Sequence, residues 1–231
     1  MSRKLNVIAR IHNGFSTKFG IPRQSGLVNT TAKIVFEPQY RDDNALKGLE
    51  EFSHLWLIWD FSQVKGDKWS PTVRPPRLGG NKRVGVFATR SPNRPNPIGL
   101  SSVKIEKIYR DGENGTVILV TGADLLDNTP IYDIKPYLSF TDSHPEARGG
   151  FADNVLSDTL EVHIPTELEA KIDNTDIDNI IKILQGDPRP HYHNDDRSYA
   201  FEYSKYHIEF GVEDNALTVT DITLLRNESN V

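Results

Sequence analysis

Apolar residues at 5, 7, 9 and 11 alternate with mostly polar neighbours, the period-two pattern of a half-buried strand over residues 5–11. A β-branched run over 32–36 predicts a second strand, and the two tryptophans within 55–61 predict a strand buried on both faces. Further strands are expected at 83–88, 102–109, 115–121 and 130–138. Asn114 and Gly115 both tolerate positive φ and mark a hairpin between two of them. The pattern changes only over 43–52, where Leu46, Leu49 and Phe52 recur at helical spacing and predict one short helix. Many short strands with hairpin turns and no βαβ rhythm argue for an antiparallel barrel or sandwich.

After about Gly150 the character shifts. A strand is expected over 158–164, and Thr166 with Glu169 forms a capping-box pattern for a short helix. Ile177, Ile180, Ile181 and Leu184 share one face of a helix over 175–184, with Gly186 as its C-cap. Two long strands, 199–212 and 217–225, are joined by a turn at 213–215. This reads as a small α+β unit, so the expected domains are residues 1–150 and 151–231.

Composition bounds the chemistry. The 231 residues are 37% hydrophobic and 26% charged, ordinary for a globular protein. Without cysteine there is neither a disulfide framework nor a thiolate zinc site. The N-terminus lacks the apolar core of a signal peptide, and no apolar run approaches the ~20 residues that span a bilayer, so the cytoplasm is the expected location. The net charge of −5 alone argues against a nucleic-acid partner, but it hides an asymmetry. Residues 68–104 contain no Asp or Glu and carry Lys68, Arg74, Arg77, Lys82, Arg83, Arg90, Arg94 and Lys104, eight of the chain's 27 basic residues. The rest sets 19 basic against 32 acidic residues. The stretch reads either as a solvated basic face or as an anion-binding surface on an acidic body.

Within it lies the chain's most unusual segment, residues 74–101. Pro92, Pro95 and Pro97 forbid helix and remove three ladder donors, so the loop that also carries Arg90, Asn93, Arg94 and Asn96 must be stiff and irregular. Such a loop is a platform for held polar groups, or equally a rigid connection whose arginines cap carbonyls. A second cluster, residues 124–137, carries Asp124, Asp127, Asp133, Lys135 and Tyr137. Asp133 and Lys135 share a face if this is a strand, and the pair could serve proton transfer or be an ordinary surface ion pair. His191-x-His193 has no third ligand at diagnostic spacing, so no metal is expected. Zinc-deaminase, nucleophile-elbow, Walker A and Gly-x-Gly-x-x-Gly patterns are all missing from the sequence.

The segments PRQSGLV (22–28), GLEEFSHLWLI (48–58), VRPPRLGGNKRVGVFATRSPNRPNPIGLS (73–101), DLLDNTPIYDIKPY (124–137) and DPRP (187–190) resemble, in this order, the TrmO (TsaA/YaeB-like) family. The resemblance is dense from about residue 5 to 138 and thin over 139–182. It implies a mainly β protein: an antiparallel β-barrel N-terminal domain with a small α+β C-terminal domain. It also implies an S-adenosylmethionine-dependent methyltransferase that acts, as a homodimer, on N6 of threonylcarbamoyladenosine beside the tRNA anticodon. A cofactor-binding barrel with another or no methylation target is the alternative.

By the same resemblance, cofactor contacts fall on Pro22, Arg23, Gln24, His54, Leu55, Arg90, Leu100, Asp124, Leu125, Leu126 and Asp127. A sulfonium amino acid and an adenosine need acceptors, a carboxylate and apolar walls rather than a phosphate-binding loop. Asp133, Lys135 and Tyr137 are the candidates for positioning and proton handling. Arg74, Arg77, Lys82, Arg83 and Arg94 are candidates for tRNA phosphate contacts. Relatives carry an aromatic residue where Asn93 stands, so base stacking there is not expected of this chain.

Overall fold

The computed structural model describes residues 4–64, 69–75, 78, 82–155, 159–189 and 197–225. Arg77, Lys68, the Gly79-Gly80 pair and both histidines of His191-x-His193 lie outside these. Strands β1 (Ala9–Asn13), β2 (Thr31–Phe36), β3 (His54–Asp60), β6 (Ile98–Asp111), β7 (Gly115–Thr121) and β8 (Pro130–Pro136) pair in the order β1-β2-β7-β6-β3-β8, and β8 returns to β1, so the sheet closes on itself. Every ladder in this ring is antiparallel. A ring has no free edge, which removes the need for a capping helix. Its interior is filled by inward residues from alternate positions, among them Ile11, Ile34, Leu55, Leu57, Trp59, Ile118, Leu125 and Ile131.

Several sequence expectations shift. The first strand begins at Ala9 rather than residue 5. The expected helix over 43–52 is two 3-10 turns, Asp43–Leu46 and Leu49–Glu51, separated at Gly48 with φ 87°. A left-handed residue cannot continue a helix, so the spacing of Leu46, Leu49 and Phe52 packs them without one. Strand β3 is not buried on both faces: Leu55, Leu57 and Trp59 point inward, while Trp56 and Ile58 are half-buried on the outside. The expected strand at 83–88 is a two-residue β5 (Val84–Gly85), paired with β4 (Thr72–Val73), followed by a 3-10 turn at Val86–Ala88. Strand β6 starts at Ile98, directly after Pro97, so the proline loop ends sooner than residue 101. In the β6–β7 hairpin only Gly115 takes positive φ (72°); Asn114 does not.

The remaining elements are α1 (Ser139–Asp142), β9 (Glu161–His163), α2 (Thr166–Glu169), α3 (Asn174–Gln185), β10 (Tyr199–Tyr203), β11 (Tyr206–Glu213) and β12 (Ala216–Leu224). The expected long strand over 199–212 is a hairpin, turned at Ser204 with φ 56°, a residue type that carries weak turn signal. Strand β9 pairs in parallel with β12, completing the sheet β10-β11-β12-β9. Thr166 is the first helical residue of α2 and not its cap; Pro165 holds that place without a side-chain bond. Gly186 has φ −71°, and the left-handed residue after α3 is Asp187, with φ 46°. This sheet, α2 and α3 share a second core that also takes in Phe15 and Val28 from the first part of the chain. The packing is close: a Cβ on Gly14 would lie 2.9 Å from the Ser204 backbone nitrogen. Among the described residues no helix is long and apolar enough to cross a membrane.

Candidate functional site

The site is built where three connections meet one end of the ring. Ser101 sits at an inward position of β6, between Gly99 and Val103, and is fully buried. A polar residue at a core position needs partners, and it has two. It accepts from the Trp59 indole Nε1 at 3.0 Å and donates to Asp124 Oδ1 at 2.5 Å. Gly99 leaves the room for that indole, since a Cβ there would stand 2.1 Å from Trp59 Cε2. Burial pushes the Asp124 carboxyl above its ordinary range, opposed by the Ser101 hydroxyl and by the positive charge of Arg90.

Arg90 leads on to the loop that begins Pro22-Arg23-Gln24. Its guanidinium donates to Gln24 Oε1, and Gln24 Nε2 donates to the Arg23 carbonyl at 2.5 Å. Arg23 Nη2 in turn donates to the carbonyls of Asp187, at 2.5 Å, and Arg189, at 3.2 Å. The Asp187 carboxylate holds Arg189 through Nε at 2.9 Å and Nη2 at 3.2 Å, with both side chains about nine-tenths buried (11% and 9% exposed). The PRQ loop is therefore held from both sides, by the Arg-Pro loop and by the turn after α3. Beyond it, Ser25 Oγ accepts from Ser102 N–H at 3.2 Å, and Gly26 N–H donates to the Gly122 carbonyl at 2.9 Å.

Beside these bonds lies a cleft of about 300 Å³ lined by Ser25, Gly26, Asn29, His54, Ser102, Lys104, Thr121 and Gly122. His54 is half-buried there, its Nδ1 2.9 Å from Ser53 Oγ. Leu55 and Leu125 are wholly buried in the ring, so any contact they make to a ligand is through backbone. Leu126 is half-buried, and Leu100 is 57% exposed on the outer face. The Asp127 carboxylate accepts from the Asn13 backbone N–H at 2.9 Å and pins β1 to this turn.

The other sequence candidates lie on the outer face of β3 and β8. Lys135 Nζ is 2.9 Å from Asp133 Oδ2, both partly exposed, and Tyr137 packs against Trp56 (5.5 Å between ring centroids) and His54 (6.1 Å). A bulge in β8 leaves Tyr132 without a partner on β3. Its hydroxyl bonds to Asp60, and burial raises its pKa. Arg94 caps the carbonyls of Thr89 (3.1 Å) and Ser91 (3.3 Å), the role that the rigid-connection reading assigned to the loop arginines. Arg83 donates to Thr72 Oγ1 at 3.2 Å across the β4–β5 pair, and Lys82 is exposed. Ser101, Trp59, Ser25 and Tyr132 were not singled out from sequence. Ser101 carried a usable signal, being polar at an inward position of an alternating strand.

One end of the closed β ring gathers a largely buried carboxylate, guanidinium groups and a small polar cleft, and the chain that carries them is matched by the tRNA-methyltransferase O N-terminal domain over residues 10–143 and by the TrmO C-terminal domain over residues 157–225. The chain belongs to the TrmO family. It is 38% identical to the Escherichia coli tRNA (adenine(37)-N6)-methyltransferase over 223 residues, covering 92% of this chain and 94% of that one. A Pseudomonas aeruginosa relative named as an S-adenosylmethionine-dependent methyltransferase is 46% identical over 164 residues, 71% of this chain and 66% of its own. The crystal structure of TrmO from P. aeruginosa superposes with a TM-score of 0.76 at 28% identity, covering 97% and 98% of the two chains. Among the described residues no cluster of three or more His, Asp or Glu could hold a metal ion.

Proposed function

We propose that this chain methylates N6 of threonylcarbamoyladenosine at position 37 of tRNA, with S-adenosylmethionine as cofactor. The observation that carries the reading is the string Asp124–Arg90–Gln24–Arg23 beside the 300 Å³ cleft, in a chain that the family's two domains match over residues 10–143 and 157–225. The ring is read as a β-barrel domain (1–150) carrying the cofactor site, with 151–231 as a small α+β domain; the family's two matched regions, ending at 143 and beginning at 157, support that division. The donor set fits an amino-acid zwitterion: Arg90 suits a carboxylate, Asp124 an ammonium group or ribose hydroxyl. His54, Leu100, Leu126 and the backbone at Leu55 and Leu125 supply the walls. Asp127 shapes the turn that presents Asp124.

The cofactor supplies a methyl group on a sulfonium cation. The protein's part is to hold N6 in line with it, exclude water, and manage one N6 proton. In the balanced reaction the N6 lone pair forms the new N–C bond, the S–C bond breaks with its electrons to sulfur, and the N6 proton leaves. Asp133, Lys135 and Tyr137 form the outer-face group assigned to orient the nucleobase and accept that proton. Arg74, Lys82 and Arg83 are assigned to tRNA phosphates, and Arg94 to the loop that presents them. Homodimer formation is part of this reading; the scattering mass in solution tests it.

The decisive experiment offers tritiated S-adenosylmethionine and two tRNA pools, with and without the threonylcarbamoyl group. Label is expected only in the modified pool. Label in neither refutes methyl transfer to tRNA, and equal label in both refutes the substrate assignment.

A further inference from the structure

Phe87 is 72% exposed and Trp69 46% exposed, and their ring centroids lie 6.1 Å apart with planes inclined by 30°. The guanidinium of Arg94 stands 6.0 Å from the Phe87 ring centroid. Exposed aromatic rings are not unusual singly, but Phe87 stands on a turn tied by several hydrogen bonds, with Trp69 against it. Phe87 sits mid-turn in Val86–Ala88, and Val86 beside it is buried at 1% exposure. The turn is tied by Val86 N–H to the Pro71 carbonyl (3.0 Å), by Thr89 N–H to the Val86 carbonyl (3.1 Å), and by Thr89 Oγ1 to the same carbonyl (2.8 Å). Arg94 caps the Thr89 carbonyl from the far side at 3.1 Å. The backbone beneath the ring is therefore already ordered before a ligand stacks there.

From residue 68 to 104 the chain has no acidic residue, and Arg74, Lys82 and Arg83 flank the rings in sequence. An apolar pair on an uncharged surface would suit a protein partner. Rings interleaved with arginine and lysine, with no carboxylate in the segment, suit an unpaired nucleobase on the ring and its phosphates on the cations.

We propose that Phe87, backed by Trp69 and Arg94, is a stacking platform for an unpaired base of the RNA substrate. The platform rests on the proposed tRNA substrate. Its turn is tied to Pro71 and Thr89, whereas Asp124 and the PRQ loop are tied to Ser101, Arg90 and the Asp187 turn, so the platform is assigned to RNA binding rather than to cofactor binding.

The test is equilibrium binding of unmethylated, threonylcarbamoylated tRNA to the full chain and to F87A, F87L, F87Y and the K82Q/R83Q pair, across a salt series. F87A is expected to bind about tenfold more weakly with the same slope of log Kd on log salt, because a stacked ring releases no counterions. F87Y should keep wild-type affinity, and F87L should behave as F87A. K82Q/R83Q should flatten the slope instead. Trp69 fluorescence should be quenched by tRNA in the wild type, with S-adenosylmethionine affinity unchanged in every variant. Wild-type tRNA affinity in F87A, or full rescue by F87L, overturns the proposal. So does an F87A effect confined to the light-scattering mass, which would give the face to a second copy of the chain. RNA binding is read here without turnover, so a chain that binds tRNA through Phe87 yet transfers no methyl refutes the methyltransferase reading and leaves the platform standing.

Discussion

Replacing Ser101 by Ala removes one hydroxyl and breaks two bonds in the ring's interior, the donation to Asp124 and the acceptance from Trp59. The bond to a charged carboxylate is worth about 2 kcal/mol, and leaving the buried indole N–H unpaired costs about 1 kcal/mol more, so a loss of about 3 kcal/mol is expected at neutral pH. The pH dependence separates this account from a simple cavity. Asp124 has its pKa raised by burial, so the folded state holds that proton more tightly than the unfolded chain and the Asp124 contribution to stability falls as pH rises through the raised value. Without the Ser101 hydroxyl the carboxylate form loses support and the pKa rises further. The deficit of S101A should therefore be largest above that pKa and shrink toward about pH 4, where a protonated Asp124 needs the donor less. Urea unfolding of wild type and variant at several pH values measures it. A deficit under about 1 kcal/mol at neutral pH, or one that grows on acidification, would refute the reasoning.

Three further outcomes are expected. Gly99→Ala places a Cβ 2.1 Å from the Trp59 ring, so the indole must move off Ser101; a thermal shift of several degrees and weaker S-adenosylmethionine binding by calorimetry should follow together. Arg189→Ala strands the buried Asp187 carboxylate at a cost of about 3 kcal/mol, while adding Asp187→Gly, which removes both the charge and a side chain at φ 46°, should recover part of it in denaturant unfolding. Asp133→Asn should change stability by less than about 1 kcal/mol, since its ion pair with Lys135 is exposed, yet should lower the single-turnover methylation rate; wild-type turnover would remove Asp133 from the reaction.

Alternation along the chain marked most ring strands, because a strand with one face inside and one outside writes its period into local residue order. Alternation misplaced the start of β1, helical spacing over 43–52 missed the left-handed turn at Gly48, and β10 was merged with β11 because Ser204-Lys205 is a turn that residue type barely signals. The residue order of 73–101 and 124–137 also pointed to the family and to Arg90 and Asp124. Ring closure between β8 and β1, and the parallel pairing of β9 with β12, depend on partners far along the chain, and no local pattern encodes them. Neither does it encode that Arg23 is gripped by the Asp187 turn, 164 residues away in sequence, or that Ser101 meets Asp124 across 23. Local order marked most of the strands and named the candidate residues for the chemistry. Only the tertiary structure decided which of those residues support one another, because a hydrogen bond needs its partners within about 3 Å, and folding alone brings them there.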